Sequence, residues 1–149
     1  MEHIENNLLW QIAIVVEDID KTLDNYTKIF GIEKPAIIID EKKETVYYDK
    51  VIFVSYKMAF LKMGLIQFEI IEPDSQQSSW RDFLNKYGDG VHHIALKVND
   101  LNNSIEYLNN LGMGIIQSAD FTNGNYHYID TKEQLGIILE LAPKRVSKN

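Results

Sequence analysis

Gln11, Glu69, His93 and Glu140 are polar residues set among neighbours that are mostly apolar. Successive strand residues point to opposite faces. If Ile12, Ile14 and Val16 make one apolar row, Gln11, Ala13 and Val15 take the other face. The row Ile66, Phe68 and Ile70 likewise turns Glu69 inward beside Gln67. His92 falls with Ile94, Leu96 and Val98, opposite His93 and Ala95, while Leu135, Ile137, Leu139 and Leu141 leave Gly136, Ile138 and Glu140 on the second face. If these second faces enclose one cavity, two carboxylates, an imidazole and an amide oxygen converge in it. An unpaired carboxylate there is strongly destabilised or is neutralised by protonation. A divalent cation would stabilise the set. Taken singly, each residue has an ordinary alternative: a solvated or lysine-paired glutamate, or a hydrogen-bonded structural His-His pair.

The elements that must position these residues show an internal repeat. Gln11–Ile19 lies over His93–Leu101 without a gap, with Ile, Ala, Val and Asp matching outright. Each stretch runs into an amphipathic helix, carried by Ile19, Leu23, Tyr26 and Phe30 in the first and by Leu101, Ile105, Leu108 and Leu111 in the second. Asp18 and Asp100 are suited to cap the helix starts, and Gly31 and Gly112 to end them. Strands then follow, at Ala36–Ile39, Val51–Met63 and Leu65–Glu72, and again at Gly114–Gln117, Tyr126–Asp130 and Leu135–Leu141. Asn123-Gly124-Asn125 is turn chemistry. A polar connector, Glu72–Ser78, leads into a short helix with Trp80, Phe83 and Leu84 that closes at Gly88-Asp89-Gly90. The expected fold is α+β: two βαβββ modules, about 8–73 and about 91–142, joined by a connector helix at about 78–88. Together they form a curved mixed sheet around a cup-shaped cavity in a single domain.

Composition narrows the function classes. The 149 residues are 45% hydrophobic and 25% charged, a globular rather than a disordered balance. There are no cysteines, hence no disulfides and no thiolate chemistry. Fifteen basic against 22 acidic residues give a net charge of −7, which argues against nucleic-acid and membrane-surface partners. The first residues lack a secretion signal, and no apolar run approaches the ~20 residues of a membrane span. A cytoplasmic protein is the expectation.

Gln67-Phe68-Glu69-Ile70-Ile71-Glu72-Pro73 and the stretch from Phe83 through Gly88-Asp89-Gly90-Val91-His92-His93-Ile94-Ala95 carry a family resemblance. They resemble the vicinal oxygen chelate superfamily and, within it, the methylmalonyl-CoA epimerase branch, over about residues 8–142. That branch shows an E-L-x-E-P strand end and an F-L-x-x-x-G-x-G-[IV]-H-H-[IL]-A run. The resemblance implies paired modules around a metal-bearing cup, commonly in a homodimer. The implied metal ligands are Glu69, His93 and Glu140, with Gln11 at a fourth position where the family has histidine. The implied cofactor is a divalent metal (cobalt, nickel, zinc or manganese). A neutral amide oxygen is a weaker donor than imidazole, so zinc, nickel or cobalt would be held less tightly.

With a metal bound, such a site suits proton abstraction beside a carbonyl. Glu140 is the expected general base, and Glu44 is the nearest candidate for a second acid on the other face of the substrate. His127, in Asn125–Asp130, and Tyr48, among the aromatics near the cup mouth, are the expected substrate-binding residues. The substrate would be a small molecule, such as an acyl-CoA, with Lys57, Lys62 or Lys97 available to its phosphates. Two alternatives stand beside an epimerase: a lactoylglutathione-lyase-like enzyme, and a non-enzymatic, antibiotic-like ligand-binding protein with a degraded metal site.

Overall fold

The computed structural model describes residues 2–4, 9–121 and 124–144. Residues 5–8, where the first module is expected to begin, and Asn123 of the expected turn lie outside the described residues. The order is β1 (Leu9–Val15), α1 (Ile19–Phe30), β2 (Ile38–Tyr47), β3 (Lys50–Met63), β4 (Ile66–Pro73) and α2 (Ser79–Tyr87). It continues with β5 (Gly90–Val98), α3 (Leu101–Asn110), β6 (Ile115–Phe121), β7 (Gly124–Ile129), α4 (Lys132–Leu135) and β8 (Ile138–Pro143). The strands close into a barrel ordered β1-β4-β3-β2-β6-β7-β8-β5. It is mixed: β1 runs parallel to β4 and β5 to β8, while the other neighbours are antiparallel.

Local chemistry sets the helices. The Asp18 carboxylate accepts from the Lys21 amide at the start of α1, and Gly31 ends it in the left-handed region at φ 64°. Glu72 at the end of β4 accepts from the Ile19 amide at 2.8 Å and from Lys57 Nζ at 2.9 Å, tying the strand end to the helix start. Asp100 caps α3 and Ser78 caps α2 in the same manner as Asp18. α1 buries Ile19 and Leu23 with Val16, Ala59, Leu61 and Ile70 on the outside of the barrel. Each buried isoleucine, leucine or valine among them contributes about 1.5–3 kcal/mol. α3 covers the outside of β5, β7 and β8 with Leu108 against Val98, Ile129, Leu139 and Leu141.

The interior is a third cluster. Ala13, Val15, Ile71, Val54, Tyr47, Ile116, Tyr126 and Tyr128 point in from the strands, and Trp80 and Leu84 of α2 join them. The connector helix therefore fills part of the cup. Trp80 packs edge-on against Tyr56 and Tyr128, and its Nε1 donates to the Tyr128 hydroxyl at 3.2 Å.

Several expected boundaries shift. Instead of a short strand at Ala36–Ile39, β2 runs to Tyr47 and forms a hairpin with β3. The hairpin turns at Tyr48-Asp49, both left-handed at φ 45° and 61°. The last strand begins at Ile138, not Leu135, because Lys132–Leu135 closes one helical turn and Gly136 ends it at φ 77°. Phe30 and Leu111, expected on the buried helix stripes, are exposed at the helix ends. Among the described residues no helix is long and apolar enough to cross a membrane.

Candidate metal centre

The centre forms where β4, β1, β5 and β8 lie side by side. Ala13 pairs with Glu69 on β4 and with His93 on β5; Ala95 pairs with Gln11 on β1 and with Glu140 on β8. Both alanines are wholly buried. Their methyl groups leave room for the longer side chains on either side to meet over them. Glu69, His93 and Glu140 do meet: their ligand atoms lie within 4.8 Å of one another. His93 Nε2 is 2.8 Å from Glu140 Oε2 and 3.6 Å from Glu69 Oε2.

These are contacts of charge without well-aligned hydrogen bonds. His93 Nε2 is fully buried and has no partner in hydrogen-bond geometry among the described residues, so its ring axis does not aim at the neighbouring oxygens. A buried nitrogen beside two carboxylates, pointing at neither, is the arrangement expected of ligands aimed at a shared centre. Donors about 2.1 Å from one ion lie ~3–4.2 Å apart, depending on their angle at the metal. The charge also balances: two carboxylates and a neutral imidazole around a divalent cation sum to zero. The donor set fits a hard or borderline divalent ion.

The electrostatics of the metal-free cluster agree. Burial opposes charging His93, but Glu140 and Glu69 outweigh it and raise its pKa to about 9. Burial pushes the Glu69 carboxyl up against the pull of His93, and the nearby Glu140 charge adds to the rise. A proton on His93 thus stands in for the positive charge the carboxylates need. The His93 side chain has no exposure, whereas the Glu69 side chain keeps 11% and that of Glu140 9%, so all three are buried and the carboxylates are the less enclosed members.

Gln11 is buried on the inward face of β1, and its Nε2 donates to Gln67 Oε1 at 2.7 Å. That bond turns the amide nitrogen toward Gln67 and makes the carbonyl oxygen the atom Gln11 can offer a cation. The other expected site residues do not join. Glu44 is exposed: Thr45 and Tyr47 are the inward residues of β2, and Glu44 pairs with Phe53 on the outer face. A bulge between Asp40 and Lys43 sets this phase. His127 stands on the outer face too, because its neighbours Tyr126 and Tyr128 point in and its own partner on β8 is Leu141 under α3. Tyr48 is exposed at the hairpin turn. It lines a groove of about 200 Å³ with Tyr47, Phe83, Tyr87 and Lys132 that reaches His92 but not Glu69, His93 or Glu140. Of the lysines assigned to phosphates, Lys57 is paired with Glu72, and Lys97 lies over the Trp10 ring at 4.3 Å.

His92 corrects the alternation argument. Ala13 pairs with His93, but Ile14 pairs with Val91, so β5 carries one extra residue at His92. A bulge puts neighbouring side chains on one side of the strand. His92 therefore turns into the interior, edge-on to Phe83 and Tyr128, instead of joining Ile94. The His-His doublet after Gly88-Asp89-Gly90 was the available signal. Tyr128 is a second residue that sequence reasoning missed: its ring lies 4.5 Å from that of His93 and walls the site.

Three likenesses bear on this geometry. YqjC of Bacillus subtilis (strain 168), an uncharacterised protein, is 30% identical over 138 residues, 91% of each chain. The mitochondrial methylmalonyl-CoA epimerase of Dictyostelium discoideum is 22% identical over 139 residues, 89% of this chain and 76% of that protein. A crystal structure of Streptomyces coelicolor methylmalonyl-CoA epimerase with 2-nitronate-propionyl-CoA superposes with a TM-score of 0.68 at 22% identity, covering 92% of this chain and 94% of that one. That last likeness establishes the fold alone. The family model for the glyoxalase/bleomycin resistance protein/dioxygenase superfamily matches residues 10–129, and the chain belongs to that superfamily.

Proposed function

We propose that the chain is a metal-dependent enzyme that moves a proton at a carbon next to a carbonyl, acting on a small thioester such as an acyl-CoA. The observation that carries this reading is the buried Glu69–His93–Glu140 triangle with its unpartnered Nε2. A divalent ion there, cobalt, nickel, zinc or manganese, would supply a Lewis acid for a carbonyl oxygen. Glu69, His93 and Glu140 would hold it, with Gln11 offering an amide oxygen. Glu140 takes the proton from the alpha carbon, because a carboxylate in a dry site can be tuned toward the working pH. Tyr128 and Trp80 exclude water from behind the site. The Dictyostelium and Streptomyces likenesses support a thioester substrate.

Glu44 on the outer face favours a second reading. Epimerisation needs an acid on each side of the planar intermediate, and Glu44 is not placed to supply one. A single carboxylate that removes and returns a proton on one face, as in lactoylglutathione-lyase-like chemistry, fits that placement. The experiment is to incubate cobalt-loaded protein with methylmalonyl-CoA in deuterated water and follow the alpha position by mass spectrometry and chiral separation. Deuterium uptake with inversion supports epimerisation, and uptake with retention supports the one-base reading. No uptake above a metal-free control counts against a thioester substrate.

The same proposal includes the domain plan. One domain of two modules, about 8–73 and 91–142, with a connector at about 78–88, is supported by the matching strand orders β1-β4-β3-β2 and β5-β8-β7-β6. It also includes the homodimer that the resemblance implies, which sedimentation tests.

A further inference from the structure

His92 is not among the candidate ligands, yet the bulge in β5 turns it inward against His93. The two rings stand nearly perpendicular, at 82°, and their Nδ1 atoms are 2.9 Å apart. Two nitrogens at that distance share one proton: one donates and the other accepts. The placement of that proton decides what His93 can do. With the proton on His93 Nδ1, a neutral ring leaves Nε2 bare toward Glu69 and Glu140, which is the tautomer a metal ligand needs. With the proton on His92 Nδ1, a neutral His93 must carry its own proton on Nε2, aimed into the cluster.

The surroundings of His92 choose between the two. Its ring is buried, held edge-on by Phe83 of α2 and by Tyr128 of β7. The Ser79 backbone at the start of α2 lies beside the ring. Nδ1 is taken up by the contact with His93, which leaves the buried Nε2, without a partner in hydrogen-bond geometry among the described residues, as the nitrogen free to turn to it. A backbone carbonyl can only accept, so a proton on Nε2 is favoured there, and His92 Nδ1 is then bare. The chain of contacts runs from the first turn of α2 through His92 to His93 Nδ1, and across that ring to Nε2 in the triangle.

We propose that His92 is a positioning residue: by accepting from His93 Nδ1–H it fixes the tautomer and ring plane in which His93 Nε2 can bind a divalent cation. This rests on the reading of Glu69, His93 and Glu140 as a metal centre. Partners of this kind in the outer shell of a metal site are worth about 10–100-fold in affinity. His92→Phe keeps the ring volume and the contacts with Phe83 and Tyr128 but removes the acceptor. His92→Asn returns an acceptor oxygen near the Nδ1 position.

The test measures zinc affinity by competition titration for wild type, His92→Phe and His92→Asn, with nitrogen-15 histidine spectra of the metal-free and zinc-loaded wild type. The inference expects His92→Phe to bind 10- to 100-fold more weakly and His92→Asn to recover to within a few-fold of wild type. In the spectra His92 carries its proton on Nε2 and zinc-loaded His93 on Nδ1. If wild type binds zinc and His92→Phe binds it equally well, or His92→Asn is as weak as His92→Phe, this inference is overturned and the metal reading stands. A wild-type spectrum with the His92 proton on Nδ1 overturns it even if neither variant folds. If wild type binds no zinc, the metal reading fails and takes the inference with it.

Discussion

Replacing Gln11 by histidine tests whether residue 11 belongs to the metal centre. The Gln11 side chain is 3% exposed, on the face of β1 that carries Ala13, and Glu140 lies two strands away across the small Ala95. Trp10 does not redirect it, since Lys97 covers the Trp10 ring while Gln11 reaches Gln67 inside the barrel. The existing Gln11–Gln67 hydrogen bond is worth about 0.5–1.5 kcal/mol net. The Gln11→His variant keeps it if the second ring nitrogen donates to Gln67 Oε1, which also orients the ring for binding. The change then exchanges a neutral amide oxygen for an imidazole nitrogen. We expect zinc or nickel to bind 10- to 100-fold more tightly, about 1.4–2.8 kcal/mol at 1.4 kcal/mol per factor of ten. Calorimetric titration of both proteins measures it. Unchanged or weaker binding by Gln11→His would refute the placement of residue 11 at the metal.

Glu140→Gln keeps an oxygen donor but cannot take a proton. Metal should remain bound, while deuterium exchange into the thioester falls about 10²–10⁴-fold, read by mass spectrometry. The pH dependence of the metal-free protein follows from His93, whose pKa rises from 6.5 to about 9 on folding. A raised pKa of a base stabilises the fold fully below pH 6.5 and loses that contribution as the pH climbs through 9. The urea midpoint should fall between pH 7.5 and 9.5, and Glu140→Gln should flatten the fall; equal slopes would contradict the ion pair. Ala95→Leu fills the space between Gln11 and Glu140, which flank Ala95 on the neighbouring strands. It should cost about 1–3 kcal/mol by overpacking and abolish metal binding in the same titration.

The helices and the inward rows were legible because local chemistry dictates them. Asp18 and Asp100 cap as read, and Gln11, Glu69, His93 and Glu140 face inward because period-two alternation holds through unbroken parts of β1, β4, β5 and β8. Alternation failed wherever a strand carries an extra residue. The bulge at His92 and the one between Asp40 and Lys43 reset the phase, and in neither does a glycine mark the spot. For His127 the ambiguity was in anchoring the alternation: Tyr126 and Tyr128 take the interior because Trp80 provides partners there. That contact comes from a helix nearly fifty residues away in sequence, which local reading does not reach. Leu135–Ile137 looked like strand because it is apolar, yet the Thr131 hydroxyl donates to the Ile137 carbonyl at 2.6 Å, which closes a turn before β8.

The central claim is that Glu69, His93 and Glu140 together hold a divalent cation. Its most direct measurement is a calorimetric titration of stripped, untagged protein with cobalt or zinc, run beside His93→Ala. The account predicts one ion per chain for wild type and loss of that binding in His93→Ala. No binding by wild type, or equal binding by His93→Ala, would contradict it, and the former result would favour a small-molecule binding protein with a degraded metal site.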